Sequence, residues 1–133
     1  MKIKQTDIAV VGAGSAGLSA AYQAAAAGAR VLVLDENRLP GGLLFKQIHE
    51  FFGTPAHQAG TRGYMIGRQL LERVESSGAE VWLDTLVYGM EKNCHLGVIH
   101  NGEHWVVQAK KVIVATGAKE NYLAFPGSTL PGV

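Results

Sequence analysis

A chain of 133 residues is sized for one domain and can bury roughly two-thirds of its unfolded surface, enough for a hydrophobic core. A net charge of +1 leaves no electrostatic footprint for nucleic acid or a membrane surface, and no apolar run reaches the ~18 residues of a membrane-spanning helix. The single cysteine, Cys94, excludes an internal disulfide, and Met1-Lys2-Ile3-Lys4 runs straight into the first strand without a secretory leader, so a cytoplasmic location is expected.

Ile8 to Val11 is an apolar run that reads as a strand. It enters a turn holding Gly12, Gly14 and Gly17. A helix of small residues follows from about Ser15 to Ala27, rich in alanine and closed by Gly28. A second apolar run, Val31 to Leu34, ends on Asp35. Strand, glycine turn, helix, strand and terminal acid are in register for a nucleotide site. Gly12 allows the tight turn, Gly14 leaves room for a pyrophosphate, and Gly17 lets the helix pack closely on the strand. The free N–H groups and positive dipole end of the helix point at the phosphates. The dipole alone is worth only about 0.3–1 kcal/mol per charge, so the N–H hydrogen bonds must carry most of the affinity. Asp35 lies 35 − 12 = 23 positions after the first glycine, near the spacing expected of a ribose-binding acid. Its charge would repel a 2′-phosphate, which disfavours NADP. A tight strand–helix turn without a ligand would explain Gly12 and Gly17 but gives Gly14 and Asp35 no purpose. Tyr22 is expected to pack in the core or on the sheet.

Glu36 to Gly42 is a loop with strong breakers, and Gly41-Gly42 suggests a second close approach of backbone to ligand. Arg38 could meet a phosphate or ribose, or stand in solvent. Leu43 to Phe52 reads as either a short helix or an extended lid, and Gly53 to Gly60 as loop. Thr61 is the expected N-cap of a helix from Arg62 to Ser77, stopped by Gly78. Ile66, Leu70 and Val74 should face the core. Gly63 and Gly67 weaken that helix by about 1 kcal/mol each, tolerable only if the face packs closely on backbone or ligand.

Ala79 to Leu83 and Leu86 to Met90 read as strands, separated at Asp84-Thr85. His95 to His100 and Glu103 to Ala109 form a hairpin about Asn101-Gly102, a strong two-residue turn signal, with Trp105, Val107 and Ala109 on one face. An antiparallel meander thus interrupts the βα alternation. Lys111 to Ala115 is a buried parallel strand leading to Thr116-Gly117, and Asn121 to Val133 is extended loop. His49 with His57, and Cys94 with His95, His100 and His104, match no metal-ligand spacing, so no metal is expected.

The glycine turn with its acid, followed by a meander and Val112-Ile113-Val114-Ala115-Thr116-Gly117, resembles the FAD-binding half of the pyridine nucleotide–disulfide oxidoreductase superfamily, in its thioredoxin-reductase-like branch. The stretches from Gly41 to Gly53, Ala59 to Gly63 and Ala115 to Val133 are more similar still to the FAD subunits of opine, proline and cyanide-forming dehydrogenases and to part of the alpha subunit of sarcosine oxidase. The resemblance implies an α/β, Rossmann-like three-layer fold, a central parallel sheet carrying an antiparallel meander, and FAD as cofactor. It implies that Gly12, Gly14, Ser15, Ala16 and Gly17 hold the pyrophosphate, and that Asp35, helped by Glu36, binds the adenosine ribose. By the same resemblance Arg38, Gly42 and Leu43 line the route to the flavin. Val87 pairs its backbone with adenine, and Ala115, Thr116 and Gly117 close over the cofactor. Redox cysteines follow the Gly-Gly loop in one branch of the superfamily; here that place reads Leu43-Leu44-Phe45, and no C-x-x-C exists, so dithiol chemistry within this chain is excluded. Catalytic residues are not identifiable. Relatives continue into an NAD(P) domain and a returning flavin-binding segment. Residues 1–133 are therefore expected to be a first FAD-binding segment or one component of a split enzyme, completed by a hetero-oligomeric partner or a further domain. The expected function is to pass electrons between an amino-acid-like or nicotinamide donor and that partner. The alternatives are a non-catalytic subunit binding ADP, AMP or FAD, and a plain NAD-binding Rossmann domain.

Overall fold

The structure, a computed structural model, describes residues 1–119 and 121–130; Glu120 and the expected loop end Pro131-Gly132-Val133 lie outside the described residues. The elements are β1 (Lys2–Val11), α1 (Ser15–Ala26), β2 (Val31–Leu34), α2 (Gly63–Ser76), β3 (Glu80–Trp82), β4 (Thr85–Met90), β5 (His95–His100) and β6 (Glu103–Val114). One six-stranded sheet runs in the order β3-β2-β1-β6-β5-β4. β3, β2, β1 and β6 are mutually parallel, and β4, β5 and β6 form the antiparallel meander.

Strand alternation assigns the two cores. Val31 and Val33 on β2 join Val10, Leu18, Ala21 and Val74 in the cluster beneath the helices. Leu32 and Leu34, on the opposite face, join Ala9, Trp82, Leu96, Val98, Val107 and Ala109 beneath the meander. β2 is therefore buried on both faces, which explains its unbroken apolar sequence. Three layers result, helices, parallel strands and meander, as the resemblance implies. Each fully buried valine or leucine stabilises this packing by about 1.5–3 kcal/mol.

β1 and β6 are longer than the sequence suggests. β6 is one twelve-residue strand, not a hairpin arm and a separate parallel strand, and β1 begins at Lys2 instead of Ile8. The two pair in parallel from Lys2↔Trp105 to Val11↔Val114, with a gap at Asp7 and Lys110. At that gap the amides of Asp7 and Ile8 both donate to the Arg30 carbonyl, and the Asp7 carboxylate accepts from the Arg30 amide, Nε and Nη2. Lys110 Nζ closes the cluster at 2.8 Å from Asp7. The hydrogen-bonded Arg30 guanidinium, then Lys110, holds the Asp7 carboxyl well below the usual carboxylate range.

α1 ends where Gly28 turns with φ 91°, and α2 where Gly78 turns with φ 85°. Thr61 is not the N-cap of α2. Arg62 holds that place, still extended because it bridges to Glu50, and no side chain caps the helix. Ile66 and Val74 are buried and Leu70 packs partly against the core. Tyr22 is not a core residue; it is exposed in a groove shared with Gln69 and Arg73 of α2, and the smaller Ala21 is the one buried in the core. Leu43 to Phe52 opens in a short 3-10 helix (Gly42–Lys46), as the short-helix reading expects, and continues as largely irregular chain. Asn101 (φ 51°) and Gly102 (φ 75°) make the expected tight turn between β5 and β6.

Candidate functional site

The carboxyl ends of β1, β2 and β6 converge. The Gly12 amide donates to the Leu34 carbonyl at 2.8 Å and the Ala115 amide to the Val11 carbonyl at 2.8 Å. Gly12 turns with φ 110°, and a Cβ there would sit 2.3 Å from the Ala115 carbonyl oxygen. A Cβ on Gly17 would sit 1.8 Å from the Gly12 oxygen, so α1 rests directly on the turn. Gly14 differs: its φ of −74° and ψ of −177° suit any residue, and no atom lies within 4 Å of its added Cβ. It is the N-cap of α1 yet offers no capping side chain, and no acid stands in the first helical turn. The first amides of α1 thus face a space that suits an anion.

Gly41 and Gly42 form the second wall. The Gly41 amide donates to the Ala13 carbonyl at 2.7 Å, and a Cβ on Gly42 would lie 3.1 Å from the Gly14 Cα. A Cβ on Gly41 would lie 3.0 Å from the Gly67 Cα, and one on Gly63 would lie 2.3 Å from the Gln47 Cβ. The close approach read from these glycines is an approach of the chain to itself. It also explains why α2 tolerates two glycines.

Asp35 is 8% exposed. Its Oδ2 accepts from the Ala13 amide at 2.5 Å, and its Oδ1 accepts from the Asn37 amide at 2.7 Å and from Asn37 Nδ2 at 2.9 Å. The Asn37 carbonyl in turn accepts from the Asp84 amide, and the Asp35 carbonyl from the Thr85 amide. The acid at the end of β2 thus ties the glycine turn to the start of β4.

These walls enclose a cleft of about 680 Å³. Of the residues expected at a site, Gly12, Gly14, Ser15, Ala16, Asp35, Glu36, Arg38, Gly42, Leu43, Ala115, Thr116 and Gly117 line it. Gly17 does not; it is buried in the helix–turn contact. Val87 lines an adjoining cavity of about 170 Å³ that shares Gly12, Asp35, Glu36, Asn37 and Thr116 with the cleft. Arg38 lies 3.6 Å from the Asp84 carboxylate with both side chains mostly exposed, a pair worth at most about 1 kcal/mol. Sequence reasoning missed Asn37, Lys46, Gln47, Phe51 and Lys119, all in the cleft wall. Asn37 had a local signal, an amide side chain two positions after a strand-terminal acid. The others arrive through tertiary folding of two loops.

Backbone N–H groups and glycines, the acids Asp35 and Glu36, and the apolar Leu43, Phe45 and Phe51 all line the cleft. Such a surface suits an elongated ligand with an anionic centre, a hydroxylated part and an apolar ring. Among the described residues no group of three His, Cys, Asp or Glu side chains could hold a metal ion, and no helix is long and apolar enough to cross a membrane.

Comparison with known proteins agrees with this geometry. The chain is 40% identical to an opine oxidase subunit of Agrobacterium tumefaciens, over 96% of its own length and 27% of that protein's. It is 36% identical to the alpha subunit of sarcosine oxidase from Rhizobium meliloti, covering 96% of this chain and 14% of that one. Among solved structures, Lactococcus lactis thioredoxin reductase superposes with a TM-score of 0.74 at 25% identity, over 92% of this chain and 39% of the other. The chain thus spans about a quarter or less of the two oxidase subunits. Residues 6–133 match the pyridine nucleotide-disulphide oxidoreductase family, and the chain belongs to that family.

Proposed function

We propose that residues 1–133 are the FAD-binding portion of a flavin-dependent oxidoreductase, which passes electrons between an amino-acid-like or nicotinamide donor and a partner. The observation that carries this reading is the open space at Gly14, set between an uncapped helix start and the Gly41-Gly42 wall. Family membership and the likeness to oxidase subunits support a flavin as the guest. The amides at Gly14, Ser15 and Ala16 would hold the pyrophosphate. Asp35 and Glu36, in the cleft wall, would meet the adenosine ribose, and Val87, in the adjoining cavity, would meet the adenine. Arg38, Gly42 and Leu43 would line the way to the ring, with Ala115, Thr116 and Gly117 above it. FAD supplies the redox chemistry when bound; the chain's residues bind, orient and shield it.

The ring end of the cleft is unfinished. Leu43 and Phe45, which line the cleft, are each about half exposed, at 51% and 49%. A further domain or a partner subunit would cover these side chains and complete the flavin environment. The single thiol, Cys94, suits work in the cytosol.

Purified chain, by itself and with a candidate partner subunit, is the test. Flavin released on denaturation, identified by absorbance and fluorescence, is the expected result. Nucleotide without flavin in both preparations would favour a subunit that only binds ADP or AMP. Preference for NAD over FAD would replace the proposal with a plain NAD-binding domain.

A further inference from the structure

The Asp35 carboxylate is held from two sides. The Ala13 amide donates to its Oδ2, and Asn37 donates to its Oδ1 twice, from the main-chain amide at 2.7 Å and from Nδ2 at 2.9 Å. The main-chain bond is a local turn that any residue but proline could make. The Nδ2 bond belongs to asparagine, because a carboxylate only accepts and a donor must face it. With one bond made, Oδ2 keeps an acceptor position for a ligand hydroxyl. Asn37 itself is exposed and lines both the cleft and the adjoining cavity. Its carbonyl accepts from the Asp84 amide, next to Thr85, whose amide donates to the Asp35 carbonyl. Asn37 therefore joins the acid that ends β2 to the start of β4, the strand that carries Val87 into the adjoining cavity.

We propose that Asn37 is a positioning residue for adenosine: its side-chain amide fixes the plane of the Asp35 carboxylate, so that the open acceptor position of that carboxylate meets a ribose hydroxyl. This rests on the nucleotide-binding reading above, in which Asp35 meets the adenosine ribose. Without the Nδ2 bond, the main-chain donors still keep Asp35 in the wall, but its carboxylate turns more freely and meets the hydroxyl less often. The loss falls on the ribose contact. The glycine turn that meets the pyrophosphate is held by the bonds from Gly12 to Leu34 and from Gly41 to Ala13, and Asn37 takes part in neither.

The experiment is calorimetric titration of the 133-residue chain with ADP and with its 2′,3′-dideoxy form, which keeps adenine and both phosphates but lacks the ribose hydroxyls. The unmodified chain should prefer ADP. Asn37→Ala should shrink that preference about fivefold, the net worth of one hydrogen bond, with affinity for the dideoxy form held within about twofold. Asn37→Gln keeps an amide donor and should return part of the preference. A preference unchanged in Asn37→Ala would show that the main-chain donors suffice, and equal losses for both ligands would mark Asn37 as a support of the fold; either result overturns the assignment. Equal binding of the two ligands by the unmodified chain overturns it too, while leaving the nucleotide-binding reading in place. Failure of the unmodified chain to bind either ligand overturns that reading, and this inference with it.

Discussion

Gly17 and Gly14 sit one helical turn apart at the start of α1 and meet opposite surroundings. A Cβ on Gly17 would strike the Gly12 carbonyl at 1.8 Å; one on Gly14 would meet nothing within 4 Å. The first glycine is required by the fold, because the helix and the turn could not otherwise touch. The second is not required by any protein atom, nor by its backbone angles. A glycine that neither packing nor conformation demands points to something outside the chain that must come close. The contrast separates a structural turn from a binding turn within one motif.

Substitution at the closed position should have the largest effect. Gly17→Val cannot be accommodated without separating α1 from the β1 turn, and should cost about 3 kcal/mol or more in urea unfolding. A change below about 1 kcal/mol would mean that the helix–turn contact yields easily, and the contrast with Gly14 would lose its force.

A smaller effect concerns the opposite end of the parallel strands, far from the cleft. Asp7 has its carboxyl held below the ordinary range by Arg30 and Lys110. Such a group stabilises the fold fully above its unfolded pKa, near about 3.9, and loses that contribution as pH falls toward the folded value. Asp7→Asn should therefore lower the melting temperature at pH 7, and the gap from the unmodified chain should narrow below about pH 4. Because this cluster ties β1 to β6 and Arg30 and not to the cleft, nucleotide affinity at pH 7 should stay the same. A loss of affinity would show that the two ends of the strands are coupled.

The glycine turn, the strand at Val31–Leu34 and the tight turn at Asn101-Gly102 were legible in the sequence because each depends on local geometry or an unbroken apolar run. The unity of β6 was less legible. Lys110-Lys111 interrupts the apolar pattern and looks like a boundary, yet Lys110 meets Asp7 where the strand passes from the meander to the parallel sheet. Tyr22 misled because a large aromatic suggests burial, while the close contact of α1 with the sheet admits only Gly17, Leu18 and Ala21. The placement of Asp35 in the cleft wall was readable from its spacing, but its bonding to Ala13 and Asn37 was not. Those partners are set by how the glycine turn and the β2 loop close on one another. Lys46, Phe51 and Lys119 enter the cleft on loops with no periodic signal at all.

The most direct measurement is FAD and ADP binding by Gly14→Val, made beside its urea unfolding curve. The predicted result is loss of nucleotide binding with stability changed by less than about 1 kcal/mol, since the valine occupies only ligand space and the modest cost of a poorer N-cap remains. Undiminished binding by a folded Gly14→Val protein would contradict the account, because it would show that no phosphate approaches the chain there.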